Sequence, residues 1–161
     1  MAQVYPKIEY RKTYEFVIND VKFGPLPKKT LDELFSDGRT ASFFMERCLP
    51  LWFPKLKFAS SKGYDFINES ESEGSNKRYI DQKGFTKRGG NFAPSTMIGA
   101  GRKVDEAAFQ AHAKHTSYVF TDITQFATNR KIFVCFWTGE DLIRTFGSNK
   151  ISATLRDKLF P

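Results

Sequence analysis

The chain has 161 residues, 40% hydrophobic and 27% charged, which is the size and make-up of one globular domain. Its 25 Lys and Arg outnumber 18 Asp and Glu, and the net charge of +7 favours a polyanionic partner, nucleic acid ahead of a membrane surface. No apolar run reaches the roughly 18 residues of a membrane span, and MAQVYPKIEYRK lacks a signal-peptide core. Cys48 and Cys135 lie far apart in apolar stretches with no CxxC pair, which argues against a zinc site. Two buried, reduced cysteines in a cytoplasmic protein, with no membrane partner, are the expectation.

Residues 1–29 mix aromatics with lysines and form an N-terminal strand or arm. Tyr14–Ile18 suits a strand, and the Pro-rich stretch 24–29 must be a loop. Thr30-Leu31-Asp32-Glu33 fits a capping box and sets a helix start. A second helix is expected over Thr40–Leu49, closed by Pro50 and Pro54. Gly63–Ile67 reads as a strand, 68–76 as a polar hairpin loop, and Lys77–Thr86 as the returning strand, alternating apolar and polar. Residues 86–103 are a basic, glycine-rich loop, and Val104–Lys114 an Ala-rich helix with acids in its first turn. Strands over Tyr118–Ile123 and Lys131–Thr138 follow, then short helices over 140–146 and 151–160. The resulting class is α/β, a mixed β-sheet flanked by helices in a single domain over 1–161. Its core spans 30–138 and a C-terminal helical segment spans 139–161.

The chemistry is carried by Asp65 on one strand and Asp81-Gln82-Lys83 on the next. Asp81 and Lys83 stand at period two, so both project from one face. A hairpin between the strands brings Asp65 beside Asp81. Two carboxylates and a lysine on one face are costly to bury unless something is bound there. Magnesium answers that cost, because it takes hard oxygen ligands from one or two carboxylates, waters and phosphates. It can polarise a phosphate and acidify a water, with Lys83 orienting that water or stabilising the transition state.

These residues resemble the PD-(D/E)xK nuclease motif of restriction, homing and repair endonucleases. In that family the first Asp ends or bends a strand, the acid-x-Lys lies on the neighbouring strand, and a helix packs on the sheet before further strands. Tyr64 stands where the family often has Pro. The resemblance covers residues 40–138. It implies a restriction-endonuclease-like fold and a magnesium-dependent endodeoxyribonuclease of restriction or homing type, with Asp65, Asp81 and Lys83 catalytic. It also implies a helical Glu near the metal, so the metal set is Asp65, Asp81 and Glu46. Glu69, Glu71 and Glu73 read as a solvated loop.

Contacts to double-stranded DNA fall to the loop. Lys87, Arg88, Arg102 and Lys103 can neutralise phosphates, Gly89, Gly90, Gly99 and Gly101 allow close backbone approach, and Asn91 and Ser95 can reach bases or phosphates. Cutting both strands with one active site per domain calls for a homodimer or higher homo-oligomer. His112 and His115, three residues apart, read as a satisfied or exposed pair ahead of a zinc or His-metal site. The alternatives to a nuclease are a non-catalytic basic DNA- or RNA-binding module and an assembly protein whose charges serve only solubility.

Overall fold

A six-stranded mixed sheet organises the chain. The computed structural model describes residues 4–18, 24–59, 63–93 and 106–161. The strands of this sheet are β1 (Thr13–Val17), β2 (Leu56–Phe58), β3 (Phe66–Asn68), β4 (Tyr79–Phe85), β6 (Ser117–Asp122) and β7 (Lys131–Thr138), in the spatial order β1-β7-β6-β4-β3-β2. The pair β5 (Gly90–Asn91) and β8 (Lys150–Ile151) forms a separate ribbon. All neighbours in the large sheet are antiparallel except β4 and β6, which run parallel. Helix α3 (Glu106–Ala113) lies on the chain between those two parallel strands, as a parallel connection requires.

The period-two pattern sorts the core onto two faces. Val119, Ile132, Val134, Phe136, Phe66 and Ile80 point to one face, where α1 (Lys28–Ser36) and α2 (Gly38–Trp52) supply Phe35, Met45, Leu49 and Trp52. Tyr118, Phe120, Cys135, Trp137 and Phe85 point to the other face. There they meet Phe92, Phe109 of α3, Leu142 of α5 (Gly139–Phe146) and Leu159 of α6 (Arg156–Leu159). Strands β6 and β7 are central and covered on both sides, so they read as nearly continuous apolar runs. The C-terminus is tied down by the Trp137 indole N–H donating to Leu159 O at 2.9 Å, and by the Thr13 hydroxyl donating to Pro161 O at 2.9 Å.

Three local expectations give way. The capping box at Thr30 does not form; α1 starts at Lys28 behind Pro27, with no side-chain cap. Proline is well suited to the start of a helix because its missing N–H is not needed there. The side-chain cap belongs instead to α2, where Asp37 accepts from the Arg39 and Thr40 N–H groups at 2.9 and 3.1 Å. Pro50 does not end α2, which continues to Trp52. Burial of Leu49, Trp52 and Phe53 on either side of Pro50 outweighs the one backbone bond it removes. The described part of the loop at 86–103 contains a strand, β5. Between β6 and β7 lies a short helix, α4 (Phe126–Asn129). No helix among the described residues is long and apolar enough to cross a membrane.

Candidate active site

Strand β4 carries the site, and its alternation decides which side chains take part. Ile80 and Gln82 face α2; Gln82 Nε2 donates to Ser42 O at 2.9 Å. Asp81 and Lys83 face the opposite way, toward α3 and the Phe92 segment. Asp65 immediately precedes β3. The antiparallel register pairs Phe66 with Ile80 and Ile67 with Tyr79. Continuing that register by one residue sets Asp65 beside Asp81, on the same face.

The β3–β4 ladder stops there. In place of a strand carbonyl, the Asp65 side chain accepts the Gln82 backbone N–H at 2.8 Å. The two strands thus part at the carboxylates, and the polar backbone of the fork stays satisfied. Burial pushes the Asp65 carboxyl above the usual carboxylate range. The Gln82 N–H opposes that rise, the charges of Asp81 and Glu46 add to it, and Lys83 pulls against it. Asp65, Asp81, Glu46 and Lys83, drawn from β3, β4 and α2, therefore share one electrostatic neighbourhood.

Asp81 is only 6% exposed. His112 of α3 brings Nε2 to 3.8 Å from its Oδ2, and the Thr116 hydroxyl lies 3.4 Å from the same nitrogen. The Tyr64 ring lies parallel to His112 at 6.0 Å and stacks on Tyr79 at 4.6 Å. Tyr118 is the register neighbour of Asp81 on β6. It is fully buried, and its hydroxyl has no hydrogen-bond partner among the described residues. Burial first, and then the Asp81 charge, pushes that phenol up. Lys83 Nζ donates to Ala93 O at 3.3 Å, which holds the ammonium on the same face as Asp81.

Gly139 fixes how close α3 can come. Its N–H donates to Thr116 O at 2.9 Å, and a Cβ there would collide with Ala113 O. That contact seats the C-terminal end of α3, one residue past His112. Sequence reasoning missed His112 as a neighbour of Asp81, and missed Tyr64 and Tyr118 as well. His115 is exposed, so the two histidines share no site.

Lys87 and Arg88 form the tip of a tight turn after β4, closed by Thr86 and Gly89 exchanging backbone bonds at 3.0 and 2.9 Å. Gly89 holds φ +94, and a Cβ on it would strike Ile151 O, so only glycine fits. Both basic side chains are exposed and form no ion pair among the described residues. Asn91 is otherwise engaged, since its Oδ1 accepts from Asn149 Nδ2 at 2.9 Å and from the Ala93 N–H at 3.0 Å. That use pins the β5–β8 ribbon. Ser95, Gly99, Gly101, Arg102 and Lys103 lie outside the described residues. Glu71 accepts from the Ser75 hydroxyl within the β3–β4 connection, away from the carboxylate pair.

The donor set fits a hard divalent cation. Asp65, Asp81 and Glu46 offer only oxygen, and the spare Tyr118 hydroxyl adds a buried polar atom with no other task. Among the described residues no three His, Cys, Asp or Glu side chains are gathered tightly enough to enclose an ion by themselves. No family model matches the chain, and no curated protein or solved structure is similar to it.

Proposed function

We propose that this chain is a magnesium-dependent, site-specific endodeoxyribonuclease, a phosphodiester hydrolase of the restriction or homing type, with a restriction-endonuclease-like fold. One observation carries the reading: Asp65, just before β3, accepts the Gln82 N–H of β4 and feels the Asp81 charge, with Lys83 two residues beyond Asp81 on the same face. Asp65 and Asp81 would hold the ion, with Glu46 reaching in from α2. A magnesium ion there supplies charge for the scissile phosphate and a more acidic water.

The remaining work belongs to the chain. Lys83, held by the Ala93 carbonyl, orients the attacking water and offsets the charge that builds on the phosphate. Orientation and electrostatic stabilisation are its role. His112, with the Tyr64 ring stacked on it, positions the Asp81 carboxylate. Lys87 and Arg88 draw the duplex in by its phosphates. A homodimer in the cytoplasm supplies the two active sites that cutting both strands needs.

A non-catalytic basic DNA- or RNA-binding module is the second reading. Its favouring observation is the exposed Lys87–Arg88 tip. The two readings part in one assay, in which the purified protein is incubated with plasmid and phage DNA in magnesium or in chelator. The nuclease cuts only with magnesium, and Asp81→Asn and Lys83→Ala each slow it by about 10²–10³-fold or more while DNA retention persists. Wild-type cutting rates in both variants would sink the assignment.

A further inference from the structure

We propose that a cleft at the C-terminal ends of β4 and β6 takes one unpaired nucleotide, with its base inward and its phosphate at Lys87 and Arg88. The cleft measures about 520 Å³ and lies between α1, α2, α4 and the two parallel strand ends. That volume is within the range of small-ligand sites, about 300–1,000 Å³. The carboxyl ends of parallel strands are also where open α/β sheets leave a crevice.

Its chemistry divides into two ends. The floor is aromatic, made of Phe35 and Phe126, with their rings 4.8 Å apart. Aromatic side chains accept any base by its flat face. The mouth carries the Lys87 and Arg88 ammonium and guanidinium groups, both exposed and unpaired among the described residues. The one acid in the lining, Asp32, is already matched by Lys28 at 2.8 Å and Arg130 at 2.7 Å, so it does not repel an anion as a free carboxylate would. Gly84 leaves the strand bare on this side, and a Cβ there would meet only the Ser42 hydroxyl, at 3.7 Å. A floor for a base beside a clamp for a phosphate fits a nucleotide better than a sugar, a lipid chain or a bare anion.

The cleft begins one residue beyond Lys83, on the strand that carries Asp81. That the nucleotide belongs to a DNA strand held for cutting rests on the nuclease reading; capture of a nucleotide does not. Calorimetric titration of the full chain in chelator separates the two, with 2′-deoxyadenosine 5′-monophosphate, deoxyribose 5-phosphate and orthophosphate as probes. The nucleotide is expected to bind at least about tenfold more tightly than the sugar phosphate, a difference an aromatic contact can supply. Lys87→Ala with Arg88→Ala weakens it by about tenfold or more, as loss of two phosphate contacts should. Ala127→Trp, an exposed change on the lip, blocks it with the melting temperature unchanged, and Ser36→Trp serves the same purpose if that variant misfolds. A short unpaired DNA that displaces the nucleotide assigns it to a strand; failure to displace it assigns the site to free nucleotides and overturns the strand assignment. Equal binding of the sugar phosphate, no binding at millimolar concentration, or indifference to both tryptophan plugs overturns the site. Nucleotide binding without magnesium-dependent cutting would leave the cleft standing and remove the nuclease reading.

Discussion

Replacing Asp65 with asparagine should reverse the stability order of two proteins according to whether magnesium is present. Without metal, Asp65 is an unwelcome charge: burial, Asp81 and Glu46 all raise its carboxyl, and only the Gln82 N–H and Lys83 oppose them. The asparagine amide keeps an oxygen for the Gln82 N–H but removes the charge. Cross-strand neighbours have Cβ atoms about 4.5–5.5 Å apart. Carboxylates roughly 6 Å apart repel by about 1.4 kcal/mol at an effective dielectric of about 40, a value chosen because the group is partly exposed. A gain of about 1 kcal/mol corresponds to roughly 2–4 °C in a domain of this length.

In chelator at neutral pH the Asp65→Asn variant should therefore melt a few degrees above wild type. The sign with pH follows from the raised carboxyl. Its cost is present above the folded-state pKa and is relieved as pH falls through it, so the advantage of the amide shrinks in acid. Magnesium at about ten times its Kd stabilises the wild type by about 1.4 kcal/mol and leaves the variant nearly unmoved. The curves then approach or cross. Differential scanning calorimetry in chelator and in magnesium reads all of this. A variant less stable than wild type in chelator, or equally raised by magnesium, would refute the placement of Asp65 beside a shared metal position.

Three further changes test the surroundings. His112→Ala frees Asp81 from its neighbour at 3.8 Å and should raise the magnesium needed for half-maximal cutting, or slow cutting, by about 10–100-fold; a magnesium titration of the cutting rate measures it. Gly139→Ala drives a methyl into Ala113 O and should lower stability by about 1–3 kcal/mol, read by urea unfolding. Arg156→Ala leaves Asp122, fully buried and paired with Arg156 Nε at 3.0 Å, without its cation; breaking such a buried pair costs about 3–5 kcal/mol, and the same unfolding assay reports it.

What the sequence disclosed follows from how local each signal is. Asp81 and Lys83 share a face because strand periodicity fixes it, and the polar run at 68–76 marks the turn that returns β4 beside β3. Asp65 falls at the end of its strand, one residue outside the ladder, because its own side chain replaces the next rung. Strands β2, β5 and β8 are two or three residues long, too short for alternation to register, and exist only because a partner strand pairs with them. The place of His112 depends on how far α3 slides over the sheet, and that is set by the Gly139–Ala113 approach between segments far apart in sequence. Pro50 misleads for a related reason: the break it signals is local, whereas the burial that overrides it comes from residues across the sheet.

The remaining question is why these groups gather where they do. Elsewhere apolar side chains alternate onto two filled faces, and the buried Asp122 is paired with Arg156. The fork departs from this: Asp81 is nearly sealed, Asp65 is raised by burial and then by its acidic neighbours, and the Tyr118 hydroxyl is buried without a partner among the described residues. An apolar pair at 65 and 81 and a phenylalanine at 118 would satisfy the same register at lower cost, since apolar replacements for buried polar clusters are often neutral or stabilising. Departures from local consistency that cluster at one point mark a function that the fold does not itself require. Every one of these departures is an oxygen, the donor that the proposed magnesium ion, and the phosphate it would carry, call for. The basic turn at Lys87 and Arg88, following the same strand, stands ready to bring that phosphate in.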